Sequence, residues 1–375
     1  MRYIKPDFFE TFACTADRCP DTCCAGWQIM IDEESLDRYA EVKGTFGKRL
    51  RNSIDWEEGA FYQNNRRCAF LNDQNLCDLY IALGGESLCD TCRKYPRHVE
   101  EYEGLREWSL SLSCPVAAEM ILTQQGFWNF MIVEDDEPDE LEDEFEDFDI
   151  LLFTQLEDAR NVVFAALKDD ENIVSYGAVG KHMNAALNLA EKMQNSLEEG
   201  SFFEIEESIA NYHVNTLEET VKSYQESLDL YHQIYDLERL RPEWTDVLNE
   251  LKQTLYGAGE ERYVQLKKRF ETYIKADAER VRLWENTGLQ LFTFFVFTYF
   301  CGAVYDDWIY SKMALAVHSV EFIRELFFCS WCKNGELDFE EMIKLAYRYA
   351  REIEHSDQNL NALEELFVEN ISNGY

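Results

Sequence analysis

Positive charge is scarce in this chain. Its 35 lysines and arginines face 73 aspartates and glutamates, a formal net charge of −38 over 375 residues. That balance argues against a nucleic-acid partner, because phosphate binding depends on lysine and arginine. A field of this sign allows a basic partner without demonstrating one. Long apolar runs are also missing. The longest, Leu291 to Val304, falls short of the roughly 20 residues a spanning helix needs, and its flanks, Glu285 and the pair Asp306-Asp307, are acidic. It reads as a buried core helix, and no membrane partner is expected. No secretory apolar region opens the sequence, since Met1-Arg2-Tyr3-Ile4-Lys5-Pro6 runs into acidic and aromatic residues. A cytoplasmic location, with reduced thiols, is the expectation. Strand-like alternation is rare, and there is no repeat of fixed period.

Hydrophobic residues make up 46% of the chain, enough to supply cores for more than one domain. From residue 151 onward the pattern is helical. Apolar residues recur near i, i+3, i+4 and i+7 over 150–167, 178–197, 216–239, 244–256, 260–283, 285–304, 310–328 and 339–354. Gly177, Gly200, Pro242, Gly257 and Gly335 mark boundaries, and Asp32 or Ser35 can cap a helix leading into Tyr39. Between Glu134 and Asp149 stand twelve acids in sixteen residues, a self-repelling run that reads as a linker. The expected organisation is a cysteine-rich module over 1–120, built of short helices and loops, an acidic linker over 121–150, and an all-α helical domain over 151–375. The fold class is mainly α.

Nine of the twelve cysteines fall in the first 120 residues, as Cys14, Cys19, Cys23-Cys24, Cys68, Cys77, Cys89, Cys92 and Cys114. That region is near charge balance, with 14 basic and 21 acidic residues. Close spacings can be brought onto one centre by a turn, and four thiolates complete a tetrahedral zinc site or a cubane cluster. Arginines at 18, 66, 67, 93 and 97 sit beside the cysteines, where positive charge lowers a thiol pKa and offsets a negative cluster. Structural zinc usually shows two Cys-x2-Cys pairs. Here only Cys89 and Cys92 form one within the module, and adjacent Cys23-Cys24 is unusual for a zinc knuckle. All nine are candidate metal ligands, for an iron–sulfur cluster before zinc. Cys301, Cys329 and Cys332 lie outside the module and read as packing. Neither a Cys-x3-Cys-x2-Cys triplet nor a dinucleotide-binding glycine fingerprint is present. Gly177-Ala-Val-Gly180 and Gly257-Ala-Gly259 lack both the preceding strand and the spacing.

The segment Cys19-Pro-Asp-Thr-Cys-Cys-Ala-Gly-Trp-Gln-Ile-Met-Ile-Asp32 resembles the flagellin lysine-N-methylase family, with its iron- or zinc-chelating module of the Cys-x2-Cys-x2-Cys-Cys type. So do Cys68-Ala-Phe-Leu, Leu76-Cys-Asp-Leu-Tyr, Leu88-Cys-Asp-Thr-Cys-Arg-Lys-Tyr-Pro-Arg97 and Ser113-Cys-Pro115. Trp284-Glu-Asn286 and Ile353-Glu-His-Ser356 look like the C-terminal half of the same family. The resemblance implies an S-adenosylmethionine-dependent enzyme, carrying an iron–sulfur cluster (4Fe–4S), that methylates surface lysines of flagellin. Such a reaction needs a neutral amine aligned with a methyl sulfonium, hence a proton acceptor and an electronegative or aromatic lining. Glu285, Asn286 and His355 are the candidates for catalysis. Tyr95 and Arg97, beside Cys92, are the candidates for cofactor binding. The competing reading is a metal-containing redox-sensing or partner-binding protein without methyltransferase activity.

Overall fold

A computed structural model describes residues 1–135, 148–214 and 222–372. The chain opens with β1 (Arg2–Pro6) and enters a small unit of short elements: α1 (Glu33–Glu41), α2 (Gly44–Asn52), β2 (Ile54–Asp55), β3 (Ala60–Phe61), β4 (Gln63–Asn64), β5 (Arg67–Cys68), α3 (Asp78–Leu83) and α4 (Asp90–Lys94). Asp32 caps α1 by accepting a hydrogen bond from Ser35 N at 2.8 Å. Ile29, Ile31, Tyr39, Leu50, Ile54, Phe61, Phe70 and Leu79 form a small core of their own, and Cys68 and Cys89 are buried within it.

Next come β6 (Arg97–Tyr102), β7 (Leu105–Leu110), α5 (Pro115–Leu122) and β8 (Phe130–Glu134). These strands join β1 in a four-stranded sheet of order β6-β7-β1-β8. β1 runs parallel to β7, with Arg2 opposite Leu105, and antiparallel to β8, with Pro6 opposite Phe130. Sequence alternation does not reveal this sheet. In β7 five of six residues are buried, on both faces, so no period of two arises. Phe8, Phe9, Phe12, Tyr102, Leu105, Leu110 and Trp128, from residues grouped by sequence with the cysteines or the linker, share the large core of the helices. Of the expected linker, 136–147 lie outside the described residues.

The helical body comprises α6 (Ile150–Asp169), α7 (Ala178–Glu198), α8 (Phe202–Ala210), α9 (Tyr224–Asp236), α10 (Pro242–Leu251), α11 (Glu260–Lys275), α12 (Ala278–Tyr299), α13 (Ile309–Asn334), α14 (Phe339–Glu354) and α15 (Asp357–Ser372). The chain is mainly helical, as its periodicity indicates. The expected helix over 260–283 is two helices. Asp277 interrupts it by accepting from Glu279 N at 2.9 Å and starting α12. Residues 216–221 of the expected helix over 216–239 lie outside the described residues. The Leu291–Val304 run lies mostly in α12 and a short turn after it. By length and composition alone the stretch Ala278–Tyr305 is apolar enough to cross a membrane, yet 89% of its most apolar window is buried inside the protein. Each fully buried phenylalanine there contributes about 1.5–3 kcal/mol of transfer free energy. α13 packs against α7, α12, α14 and α15 and so forms the spine of the body.

Two arginines of the body fasten the small unit. Arg351 in α14 donates from Nε to Ser113 O and from Nη2 to Asp21 O, each at 2.8 Å, and its Nη1 lies 2.6 Å from the Asp21 carboxylate. Arg241, just before α10, donates to Asp21 Oδ1 at 2.8 Å, Thr22 O at 2.9 Å and Ala25 O at 2.6 Å. The residue at 26 must be glycine. Its φ is +97°, and a Cβ there would stand 2.6 Å from Arg241 Nε. The loop holding Cys19, Cys23 and Cys24 is thereby set against the helices.

Candidate functional site

A cavity of about 470 Å³ lies at this seam. The small unit and its flank supply Trp27, Tyr95, Arg97 and Glu100, and the helices supply Tyr299, Glu354, His355 and Glu364. Three residues singled out by sequence, Tyr95, Arg97 and His355, thus meet in one wall although His355 lies more than 250 positions from the other two. His355 stacks on Trp27 with ring centroids 4.5 Å apart and planes 20° apart. Its Nε2 is 3.0 Å from Ser113 Oγ, which in turn is 3.1 Å from the Tyr95 hydroxyl. Tyr95 and His355 are therefore joined through one serine next to Cys114. Arg97 lies over the Phe12 ring at 5.2 Å.

The wall carries acceptors that nothing satisfies. Among the described residues, Glu354 Oε1, Glu364 Oε1 and Thr298 Oγ1 are buried without a hydrogen-bond partner, and all three residues line the cavity. Glu354 Oε2 accepts from Ser111 Oγ and from Ser113 N. Lys312 reaches only the other oxygen of Glu364, at 2.7 Å. Burial pushes the carboxyls of Glu354 and Glu364 above their usual range. Buried acceptors of this kind are rare in folded proteins and are expected to meet a donor from a ligand or water. Two carboxylate oxygens among aromatic rings suit a cation carrying N–H groups.

Glu285 and Asn286 stand apart from this cavity. Glu285 accepts from Gly177 N at 2.9 Å and Val179 N at 3.1 Å, which caps α7, and it lines a separate cavity with Trp284 and Arg324. Asn286 accepts from Gly126 N at 3.2 Å and donates to Gln124 O at 2.7 Å, holding the turn after α5. Glu354, Glu364 and Thr298 went unread in the sequence. A visible signal was the charge cluster Arg351-Glu352-Ile353-Glu354 ending the strongly amphipathic α14, where Arg351 and Glu352 fall on the inward face.

A family model, the FliB lysine N-methylase C-terminal domain, matches residues 178–374. The chain belongs to the FliB lysine N-methylase family. Lysine-N-methylases of Salmonella typhimurium and Salmonella choleraesuis are each 30% identical to it over 127 residues, covering 32% of this chain and 32% of theirs. The flagellar biosynthetic protein FliU of Salmonella muenchen is 29% identical over 127 residues, 32% of this chain and 75% of that protein. The matched segment thus spans about a third of the lysine-N-methylases' length. No solved structure matches the chain. The FliB domain match takes in the helical wall of the cavity, with Thr298, Tyr299, Glu354, His355 and Glu364, and leaves Trp27, Tyr95 and Arg97 outside.

Five cysteines of this FliB-family chain, Cys24, Cys68, Cys77, Cys89 and Cys92, lie in or against the core of the small unit. Cys68 N donates to Cys24 O at 2.9 Å, tying two distant thiol-bearing segments together. The Cys24 thiol is brought down to about 7, first by a hydrogen bond from Cys23, against burial, with Thr22 and Arg67 assisting. A hydrogen bond from Cys92 likewise lowers Cys89, against burial. Burial holds the thiols of Cys19, Cys68, Cys77 and Cys114 up instead. Among the described residues, no three of His, Cys, Asp and Glu stand arranged to hold a metal ion. The donor chemistry fits a thiolate centre, while the side chains stand as hydrogen-bonded pairs. Cys301 and Cys329 are buried in the helical core, where burial pushes each thiol up to about 12. Cys332 packs against the same core, and its thiol is pushed up to about 11, again by burial.

A pH dependence follows from His355. Burial pushes its pKa down to about 3, with the charges of Arg351 and Arg241 adding to the effect. Between pH 6.5 and 3 the unfolded chain therefore binds a proton here that the folded chain refuses. Stability linked to this ring is complete above about 6.5 and is lost as pH falls toward 3. His355→Phe keeps a ring against Trp27 and removes the titration. Denaturant unfolding of the two proteins at pH 7 and pH 4.5 is expected to show the wild type losing more stability than the variant. Equal losses would contradict this assignment.

Proposed function

We propose that the seam cavity is the active site of a protein-lysine N-methylase, with S-adenosylmethionine as methyl donor and flagellin as protein substrate. The observation that carries this reading is the pair of unsatisfied carboxylate oxygens, Glu354 Oε1 and Glu364 Oε1, in an aromatic cavity of a FliB-family chain. Both the ε-ammonium of lysine and the amino group of the donor are cations with N–H groups to offer. S-adenosylmethionine supplies an electrophilic methyl group on a sulfonium. Glu354, its carboxyl held high by burial, takes the proton from the incoming ammonium, so that the amine lone pair is free. The N–C bond then forms as the C–S bond breaks, with the electron pair passing to sulfur. Trp27, Tyr95 and Tyr299 line the path and favour the cationic methyl donor through their ring faces. Arg97 and Lys94, which line the cavity, would meet the donor's carboxylate. A volume of about 470 Å³ lies within the usual range for small-ligand sites.

The thiols of the module would hold an iron–sulfur centre, or zinc, which supplies structural or redox support beside the cavity. Ligation of this kind requires a reducing compartment, in keeping with a cytoplasmic location. The flagellar name of a relative supports a flagellar substrate.

The test is methyl transfer from labelled S-adenosylmethionine to flagellin by anaerobically purified, metal-replete protein. Wild type is expected to label flagellin lysines, and Glu354→Gln to lower kcat about 10²-fold, the usual scale for a proton acceptor. Absence of transfer by the wild type, or full transfer by Glu354→Gln, would overturn the reading.

A further inference from the structure

Trp284 and Glu285, singled out in the sequence, take no part in the seam cavity and line a second one, of about 190 Å³, inside the helical body. One face of α11 supplies Lys267, Glu271 and Lys275 at four-residue spacing, and one face of α13 supplies Glu321, Arg324 and Glu325. Three of the four acids already have close donors. Glu285 holds the first turn of α7 through Gly177 N and Val179 N. Glu321 meets Lys222 at 2.5 Å and His318 Nδ1 at 2.7 Å. Glu325 accepts from the hydroxyls of Tyr263 at 2.8 Å and Tyr256 at 3.1 Å.

Three of the cations are not matched in this way. Among the described residues, Arg324 donates one hydrogen bond, to Trp284 O at 3.1 Å, and the carboxylate it approaches, Glu285, stands off at 3.7 Å. Lys275 is 3.9 Å from Glu271. Lys267 bonds a carbonyl and a phenol, Lys222 O at 3.1 Å and Tyr263 Oη at 3.4 Å, and pairs with no carboxylate among the described residues. Arg324 is also built into its place. Its guanidinium lies 4.8 Å over the Trp284 ring, and Gly288 makes the room, since a Cβ there would stand 2.0 Å from Nη2. Its Nε is buried without a hydrogen-bond partner. A buried donor left open is expected to meet an acceptor from a ligand or water.

We propose that this second cavity binds a small organic carboxylate, gripped by Arg324 with Lys267 and Lys275 and resting its apolar body against Phe270 and Phe328. The proposal is independent of methyl transfer at the seam and of metal binding. Arg324 spends one N–H on Trp284 O, which leaves a two-pronged grip on a carboxylate open. An organic anion fits better than an inorganic one, because Phe270, Phe328, Leu230 and Met183 line the same space and a bare anion would leave that apolar surface uncovered. The volume sets the size. It lies below the roughly 300 Å³ at which sites for drug-sized ligands begin, so the occupant is a single ring or a short chain. The net charge of −38 repels an anion at a distance, so affinity has to come from these contacts and is lost with them.

The experiment is isothermal titration calorimetry of the full chain with benzoate as the probe, and with benzamide and inorganic phosphate as comparators. Benzoate is expected to bind, and benzamide, the same ring without the charge, to bind about tenfold more weakly or worse. Arg324→Gln should weaken benzoate about tenfold, the scale of one hydrogen bond from a charged donor. Lys267→Gln/Lys275→Gln leaves Arg324 packed against Trp284 and should also weaken benzoate, with an unchanged far-ultraviolet spectrum. No binding of benzoate at millimolar concentration, equal affinity for benzoate and benzamide, or wild-type affinity in either variant would overturn the proposal. Binding of phosphate in place of benzoate would overturn the carboxylate assignment. Loss of benzoate binding in Arg97→Gln, with wild-type affinity in Arg324→Gln, would place the anion in the seam cavity and overturn it as well.

Discussion

Arg351→Ala is expected to lower the free energy of unfolding by about 3–5 kcal/mol, the cost of removing one partner from a buried charged cluster. The guanidinium is 1% exposed, and it holds two backbone carbonyls and the Asp21 carboxylate. Each hydrogen bond from a charged donor is worth about 1.5–3 kcal/mol, so two of them already reach that range. Asp21 keeps Arg241 as a partner, which limits the loss to that range. Arg351→Lys should recover less than half, because an ammonium is a point donor and cannot span Ser113 and Asp21 as the planar fork does. Urea unfolding followed by circular dichroism measures both variants. A change below about 1 kcal/mol for the alanine variant would mean that the seam is held by other contacts.

Arg160→Met is the companion case in the body of the molecule. Arg160 of α6 forms a two-pronged ion pair with Glu107 at the centre of β7, and both residues are almost fully buried. It also lies 5.4 Å over the Phe297 ring. Removing the cation strands a carboxylate that is 2% exposed, at an expected cost of about 3–5 kcal/mol. Replacing both partners removes the stranded charge as well as the attraction. Arg160→Met/Glu107→Leu should therefore be more stable than Arg160→Met alone. The double-mutant cycle reads this directly, and a double variant less stable than the single one would refute the account.

These two arginines show why part of the fold was legible in the sequence and part was not. α14 was read with its boundaries intact, because its apolar positions recur at helical spacing and Asp338 caps it through Glu340 N at 2.9 Å. α15 and α8 were not read, the first following α14 after a break of two residues and the second being nine residues long. The sheet was hidden because β7 is buried on both sides and β6 is only half buried, so neither strand alternates cleanly. In the site, Tyr95, Arg97 and His355 could be picked out by their neighbours in the chain. Glu354 stands in a visible charge cluster, but what distinguishes it is an oxygen left without a donor, a property of packing.

The sequence by itself determined the helical character of residues 150 onward, the gathering of nine cysteines at the N-terminal end, and the family through its motifs. Each of these is encoded locally, by a period, a spacing or a short string. The tertiary structure decided that Glu285 and Asn286 hold backbone in place and that Tyr95 and His355 share one serine. These relations join residues far apart in the chain. They depend on which faces of α12 and α14 turn inward and on two buried guanidiniums that pin a loop to the helices, and no local pattern carries that information.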